Sequence, residues 1–125
     1  MAISNKVECP ECAKISVIEI SEPHKFMWGS EKPIELSPTL VVLTCVDCGF
    51  RFTDGRAENI EHDAICRHLG RLTSQEIRDI RERRQLSRAE LGAFCGREEV
   101  SVKRWETGGL IQDELDDSTL RLLAA

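Results

Sequence analysis

The stretch Thr44-Cys45-Val46-Asp47-Cys48-Gly49-Phe50 (TCVDCGF) carries a C-x2-C motif at the end of an apolar run. A second motif, Cys9 to Cys12 in CPEC, precedes it, with 32 residues between Cys12 and Cys45. Each C-x2-C turn lets two thiolates reach one metal ion, and two such turns supply the four sulfur ligands of a tetrahedral zinc site. We therefore predict one structural Zn²⁺ per chain, held by Cys9, Cys12, Cys45 and Cys48.

Two other interpretations of these cysteines are open to the sequence. A pair of redox sites would need a thioredoxin-like strand–helix–strand pattern around a C-x2-C motif, and no such pattern is visible. A catalytic zinc ion would need an open coordination position, which four thiolates do not leave. Gly49 follows the second motif, where a knuckle turn often requires positive φ. The residues therefore favour a structural metal site.

The composition is that of an acidic chain without a membrane-spanning segment. The 125 residues include 17 basic and 22 acidic side chains, a net charge of −5. The longest apolar run, Leu40 to Leu43, is far too short to cross a bilayer. The first residues lack the apolar segment of a signal peptide. We expect a cytoplasmic protein, in which paired cysteines are more often metal ligands than disulfides.

The apolar pattern changes along the chain from strand-like to helical. Alternating or β-branched runs predict strands at 15–21 and 39–45, with a weak third at 50–54. Helical spacing begins after Gly55. We predict an α+β fold in which a small zinc-ribbon-like module with β-strands is followed by a linking helix and an all-α helix-turn-helix domain. The expected bounds of these three parts are residues 1–54, 55–71 and 72–125.

The last third of the chain contains clear helix boundaries and a local excess of positive charge. Two capping boxes, Thr73 with Glu76 and Ser87 with Glu90, predict helix starts. Gly96 and Gly108 predict helix ends. Val102 and Trp105 form an apolar stripe, and the segment DSTLRLLAA (117–125) predicts a last helix. From Arg78 to Arg104, 8 basic and 5 acidic side chains give a net charge of +3.

Three further features have less specific patterns. We interpret Cys66 as a partly buried cysteine beside exposed histidines, His62 and His68, in preference to a second metal site. Cys95 lies on an apolar stripe and is predicted to be part of a core. The segment FMW (26–28) is either the core of the small module or an exposed patch for a partner.

The segment IRDIRERRQLSRAELGAFCGREEVSVKRWETG (77–108) resembles the phage-repressor-type helix-turn-helix family. The matching positions are Arg81, Leu86, Ser87, Glu90, Leu91, Gly96, Glu106 and Gly108, with Ser101 and Val102 as close substitutes. The resemblance implies that residues 87–95 form the first helix of the motif. It implies that residues 98–106 form the recognition helix, which enters the major groove of DNA.

The same resemblance implies roles for single residues. Arg81 and Glu106 take the positions of an ion pair that ties the first helix of the domain to the end of the recognition helix. The implied DNA contacts are the phosphate-binding Arg88 and Thr107 and the groove residues Glu99, Val100, Ser101, Lys103 and Arg104. Arg104 is the candidate base reader, because a guanidinium can bond guanine bidentately. A phosphate contact or a solvated face is the alternative for this residue.

The chain departs from the family pattern at the start of the recognition helix and just before it. Glu98 stands where the family usually has a small hydroxyl cap, and Glu99 follows it. Both acids lie near the expected path of the phosphates, although they also suit the positive end of a helix dipole. Gly92 replaces a usual alanine, which permits close packing but lowers helix propensity.

The order of the whole chain, from CPEC through LTCVDCGFRFTD to residues 72–123, resembles the MqsA-type antitoxins. That resemblance implies a zinc module able to bind a toxin protein and a C-terminal domain that forms a homodimer on palindromic double-stranded DNA. We expect the dimer seam on a short last helix, 119–123, where Leu120 and Leu123 share one face.

The sequence therefore favours a transcriptional repressor, the antitoxin of a toxin–antitoxin pair that regulates its own operon. Two alternatives stay open, a stand-alone zinc-containing regulator and a zinc-ribbon adaptor that binds protein in place of DNA. Glu98, Glu99 and the acidic composition favour the adaptor. We expect no enzyme, because no nucleophile–base pair, phosphate-binding loop or open metal site is visible.

Overall fold

The computed structural model describes residues 7–125, and the contacts within the chain divide it into two units, Met1–Ile60 and Glu61–Ala125. Among the described residues the strands are β1 Val17–Pro23, β2 Phe26–Trp28, β3 Ile34–Leu36, β4 Thr39–Cys45 and β5 Arg51–Phe52. The α-helices are α1 Ile60–His68, α2 Ser74–Arg83, α3 Arg88–Cys95, α4 Glu99–Thr107 and α5 Glu114–Ala124. The prediction of an α+β fold is confirmed. The segment 55–71, predicted as one linking helix, contains a 3₁₀ turn at Gly55–Ala57 and then α1.

The first unit is built on an antiparallel sheet in the order β1-β4-β5. The register places Val17 of β1 opposite Cys45 of β4, and both side chains are fully buried. Cross-strand neighbours of this kind are the pairs that stabilise a sheet. Strand β4 therefore carries the first cysteine of the second C-x2-C motif into the centre of the unit.

The segment FMW forms β2, which pairs with β3 in a separate two-stranded antiparallel ribbon. Phe26 and Trp28 are half-buried, whereas Met27 is 60% exposed. The alternation follows from strand geometry, since neighbouring side chains point to opposite faces. Neither Phe26 nor Trp28 belongs to the buried cluster that the described residues of the first unit form, and the interpretation of FMW as a patch for a partner stays a prediction. The sequence did not predict either strand of this ribbon, because a segment of three residues is too short to show the alternation of a strand.

The helices of the second unit begin and end where the local signals place them. Both predicted capping boxes are confirmed. The hydroxyl groups of Thr73 and Ser87 accept from the backbone N–H groups of Glu76 and Glu90. The carboxylates of these glutamates accept in turn from the backbone N–H groups of Thr73 and Ser87. Gly96 and Gly108 take the left-handed conformation, with φ of 70° and 86°. The last helix is longer than predicted, since Asp113 caps it and it starts at Glu114.

One apolar cluster holds α2, α3, α4 and α5 together. Its buried members are Leu72, Ile77, Ile80, Leu91, Val102, Trp105 and Leu120, with Leu86, Cys95 and Leu123 packed against them. The prediction that Val102 and Trp105 form the buried stripe of α4 is confirmed, with exposures of 0% and 1%. The cluster gives α4 one buried face and one solvent face.

Leu120 cannot serve as a contact to a second copy, and that part of the dimer prediction is corrected. Its side chain is fully buried in the core of its own chain, and Leu123 packs against the same core. The exposed leucines of α5 are instead Leu115 and Leu122, at 74% and 73% exposure. The leucine spacing alone did not distinguish the inner face of α5 from the outer one.

A buried carboxylate fastens α5 to the residues that precede α2. Asp117 Oδ1 accepts from the backbone N–H of Leu72 at 2.8 Å and from Gln112 Nε2 at 2.9 Å. The same amide donates to the Leu72 carbonyl at 2.9 Å, and Arg121 Nε donates to Asp117 Oδ2 at 2.7 Å. A buried carboxylate is tolerated when hydrogen bonds of this kind satisfy its oxygens.

The close approach between α3 and α4 requires a residue without a side chain at Gly92. A Cβ atom there would lie 2.7 Å from the Arg97 carbonyl oxygen and 3.2 Å from that of Glu98. Gly92→Ala should therefore destabilise the second unit by about 1–3 kcal/mol through overpacking, in spite of a gain of about 1 kcal/mol in helix propensity. Chemical denaturation measures the difference.

Gly109→Ala is the matched control, because its Cβ would make only ordinary contacts, the nearest at 3.5 Å to Arg104 Cγ. We expect this variant to unfold at nearly the parent concentration of denaturant. Equal stabilities for the two alanine variants would contradict the assignment of a steric role to Gly92.

Candidate functional site

The four cysteines of the two C-x2-C motifs form one cluster. Cys9 Sγ lies 3.6 Å from Cys48 Sγ, and Cys12 Sγ lies 3.6 Å from Cys45 Sγ. All four sulfur atoms lie within 4.8 Å of one another. A tetrahedral zinc ion with bonds of about 2.3 Å separates its sulfur ligands by about 3.8 Å. The spacing is therefore compatible with one structural metal ion held by all four cysteines.

The two knuckle turns have the same backbone hydrogen bonds. In each turn the N–H of the first cysteine donates to the carbonyl five residues later, and its own carbonyl accepts from the N–H four residues later. In the first turn the Cys9 N–H donates to the Lys14 carbonyl and the Ala13 N–H donates to the Cys9 carbonyl, both at 2.9 Å. In the second turn the Cys45 N–H donates to the Phe50 carbonyl at 2.9 Å, and the Gly49 N–H donates to the Cys45 carbonyl at 2.8 Å. Ala13 and Gly49 have φ of 63° and 79°. The positive φ predicted for Gly49 is confirmed, and Ala13 occupies the equivalent strained position in the first turn.

Backbone N–H groups favour the thiolate form of Cys45, whereas burial and neighbouring thiols raise the pKa values of Cys12 and Cys48. Hydrogen bonds from the backbone N–H groups of Cys48, which has the larger effect, and of Asp47 lower the pKa of the Cys45 thiol to about 7. Four thiolates around a divalent ion carry a net charge of −2, and N–H donors from the surrounding chain offset that charge. Cys9 and Cys45 are buried, whereas Cys48 is exposed. The arrangement is that of a closed structural site at the edge of the core.

The other two cysteines lie outside this cluster, in the helices of the second unit. Cys95 is half-buried against the apolar core, and burial raises the pKa of its thiol. Cys66 is fully buried, contrary to the prediction of partial burial, and burial raises its thiol pKa to about 11. His62 is half-buried with Nε2 at 3.6 Å from Cys66 Sγ, whereas His68 is exposed.

Helix α4 divides its side chains between two faces. The buried side chains are Val102, Trp105 and Glu106. The predicted groove and phosphate residues lie on the other face, where Glu99, Val100, Lys103, Arg104 and Thr107 are exposed and Ser101 is half-buried. The Thr107 hydroxyl donates to the Lys103 carbonyl at 2.7 Å, within the helix. The structure therefore brings the predicted contact residues of α4 onto one solvent-facing surface.

The buried carboxylate of Glu106 fixes α4 to α2. Arg81 donates to it twice, from Nε to Oε2 at 2.7 Å and from Nη2 to Oε1 at 2.9 Å. Arg88, at the start of α3, donates from Nε to Oε1 at 3.3 Å. The Glu106 side chain has no exposed surface. The structure thus pairs Arg81 with Glu106, as the resemblance implied, and adds Arg88 as a second partner.

Part of the positive charge between Arg78 and Arg104 is paired inside the second unit, through Arg81, Arg88 and Arg97. Arg97 pairs with Asp113 at 3.1 Å and with Asp116 at 2.9 Å. Arg84 donates to the carbonyl oxygens of Leu123 and Ala125. Within residues 7–125, Lys103 and Arg104 have no ion-pair partner at 4.0 Å or less. These two side chains are therefore the cations that α4 presents to solvent.

Sequence reasoning missed two polar contacts that shape these surfaces. Arg97 and its partners are separated by 16 and 19 residues, so no local pattern links them. Asp117 and Arg121 are four residues apart on one helix, a spacing that predicts an ion pair. That signal was present in the sequence and could have predicted the Asp117–Arg121 pair.

No protein-family model matches the chain, and no curated protein matches it. Among the helices of residues 7–125, none is both long enough and apolar enough to span a bilayer. The cysteine cluster and the solvent face of α4 are therefore the features from which we infer a function.

Cys45→Ser should remove the metal ion from the cysteine cluster. Because structural zinc contributes roughly 10–16 kcal/mol in zinc-finger peptides, we expect β1 and β4 to unfold while α2 to α5 stay folded. Metal analysis of the full chain, together with hydrogen exchange of the strand and helix amides, measures both effects. Cys95→Ser, outside the cluster, is the control and should keep the ion. An unchanged metal content in Cys45→Ser would contradict the assignment.

Arg81→Ala should destabilise the second unit because it removes the bidentate partner of a buried carboxylate. Breaking a buried pair costs about 3–5 kcal/mol, and we expect the lower end of this range since Arg88 remains beside Glu106. Arg83→Ala is the control, because Arg83 is exposed and donates only to a backbone carbonyl. Thermal unfolding compares the two variants. Equal melting temperatures would show that Glu106 does not depend on Arg81.

Proposed function

We propose that this protein is a dimeric, sequence-specific DNA-binding repressor in which α3 and α4 form a helix-turn-helix. The cysteine cluster would hold one structural Zn²⁺. The observation that carries the proposal is the solvent face of α4, where Lys103 and Arg104 lie beside Val100, which is 45% exposed. A helix with one face locked in a core and one face carrying unpaired cations is what insertion into the major groove requires.

Each side chain of that face has a chemical counterpart on DNA. Arg104 can donate to O6 and N7 of a guanine, Glu99 can accept from N4 of a cytosine, and Val100 can pack on a thymine methyl group. Arg88 uses its Nε for Glu106, which leaves its two Nη groups for a phosphate. The buried ion pair would therefore position a phosphate contact as well as the recognition helix.

A second copy would supply the remaining contacts, because one motif reaches only one half-site. Two-fold symmetric dimers bind half-sites about 34–36 Å apart, or a multiple of that distance. Leu115 and Leu122 of α5 are seven residues apart, on one face of the helix, and about three-quarters exposed. We assign the dimer seam to these leucines, since Leu120 is occupied within its own chain.

The antitoxin role rests on the resemblance of most of the chain, from CPEC through LTCVDCGFRFTD to residues 72–123, to the MqsA-type antitoxins. In that role the first unit would bind a toxin, and the second would repress the operon that encodes both proteins. A stand-alone regulator would need only the DNA-binding part. The observation that favours a protein-binding adaptor is the pair of exposed acids, Glu98 and Glu99, at the start of α4.

Arg104→Ala should weaken binding to the operator by about 1–3 kcal/mol and relax the preference at one base pair. Arg88→Ala should weaken all duplexes alike and reduce the salt slope by about one unit, since it removes a phosphate contact. Fluorescence anisotropy with duplexes from the promoter of this gene, at two salt concentrations, measures both effects.

Arg83→Ala is the matched control for the loss of a positive charge outside α4, and we expect it to bind like the parent. Failure of the zinc-loaded parent to bind any of these duplexes at low salt would exclude the repressor and support the adaptor. Capture of protein partners from the host, with and without nuclease, then separates an antitoxin from a stand-alone regulator.

A further inference from the structure

We propose a second metal site on α1, formed by His62, Asp63 and Cys66, that takes a borderline-soft divalent cation such as Zn²⁺ or Co²⁺. The site is separate from the four-cysteine cluster and differs from it in ligand number. It goes beyond the proposed function, which needs only the structural ion of the first unit.

The spacing of the imidazole and the thiol fits one metal ion. His62 and Cys66 are four residues apart on a helix and therefore share a face. Their Nε2 and Sγ atoms lie 3.6 Å apart. A tetrahedral zinc ion with bonds of about 2.0–2.1 Å to nitrogen and about 2.3 Å to sulfur separates these ligands by about 3.6 Å. A carboxylate oxygen of Asp63 completes a set of three ligand atoms within 4.8 Å of one another.

The third ligand is held in position by a neighbouring residue. Asp63 Oδ1 accepts from the Ser74 backbone N–H at 3.0 Å and from the Ser74 hydroxyl at 2.8 Å. Hydrogen bonds of this kind orient metal-binding carboxylates in known sites. Ser74 is fully buried, and its two hydrogen bonds fix the orientation of the Asp63 carboxylate. The ion would thereby connect α1 to the first residue of α2.

The charges of the ligands favour a divalent ion beside the buried Cys66. One thiolate and one carboxylate neutralise a divalent cation, whereas four thiolates leave a net charge of −2. The charged groups that affect the Cys66 thiol are the carboxylates of Asp63 and Asp117 and the guanidinium groups of Arg67 and Arg71. Apart from Asp63, which is itself a ligand, the surroundings contain one negative group and two positive ones, a net charge of +1.

The ligand number distinguishes this site from a closed structural one. Three protein ligands leave a fourth position for water or another donor, which is the arrangement of exchangeable and reactive zinc sites. We expect the ion to bind more weakly than in the cysteine cluster and to stabilise α1, a helix of nine residues that is too short to be stable by itself. A hydrogen bond between the thiol and the imidazole is the competing explanation of the 3.6 Å contact.

Titration of Co²⁺ into the full-length protein loaded with a single equivalent of Zn²⁺, which fills the tighter cysteine cluster, tests the site. We expect one further equivalent to bind, with visible ligand-field bands and a thiolate-to-cobalt charge-transfer band of single-thiolate intensity. Loss of a ligand should weaken binding more than about 100-fold, since loss of even a supporting hydrogen bond costs 10–100-fold. His62→Gln and Cys66→Ser should therefore lack these bands, and His68→Gln, on the exposed end of the same helix, should keep them.

The unfolding temperature supplies a second measurement, because a ligand that binds only the folded state raises it. Co²⁺ should raise the melting temperature of the parent and of His68→Gln but not that of His62→Gln. His62 is half-buried, so its variant is informative even if the buried Cys66→Ser variant does not fold. Absence of the cobalt bands in the parent, or equal bands in His62→Gln, would overturn the proposal and favour the hydrogen bond.

Discussion

A unit of about 60 residues buries too small a share of its surface for apolar contacts alone to fold it securely, and each unit of this chain has about that size. The buried cluster of the first unit has four members, and two of them, Cys9 and Cys45, are thiols. A metal ion there would replace core that the chain is too short to build. The second unit has a larger apolar core, yet it also depends on the buried carboxylates of Glu106 and Asp117. With such an ion, both units would use a few directional bonds where a larger domain would use apolar area.

The parts of the fold that the sequence predicts are those governed by contacts between near neighbours. A capping box depends on residues three apart, and a knuckle turn on residues four or five apart, so Thr73 and Gly49 could be assigned correctly. The depth of a residue depends on the whole chain. For that reason the spacing of Leu120 suggested a free face, and the structure buries it. The cost of a side chain at Gly92 also depends on Arg97 and Glu98, which belong to the next turn.

Electrostatic reasoning from the sequence was limited in the same way. The sequence has a local net charge of +3 between Arg78 and Arg104. In the structure Arg81, Arg88 and Arg97 form ion pairs within the second unit. The cations that α4 itself presents are Lys103 and Arg104. Non-specific affinity for DNA depends on the number of phosphates that cations neutralise. A protein with so few unpaired cations on its recognition helix would bind DNA weakly as a monomer, and the proposed repressor therefore depends on a dimer.

The acids at the start of α4 bear on the same balance. Glu98 occupies the N-cap position but makes no side-chain capping hydrogen bond, so it does not provide the stabilisation that a serine or threonine cap provides. Its charge still interacts favourably with the helix dipole, as does that of Glu99. Near a phosphate backbone the same charges oppose binding to every sequence alike. A base contact by Arg104 or Glu99 would offset this repulsion only on the matching site. In a repressor, the two acids would thus lower non-specific binding and raise the ratio between correct and incorrect sites, which determines regulation when competing sites are abundant.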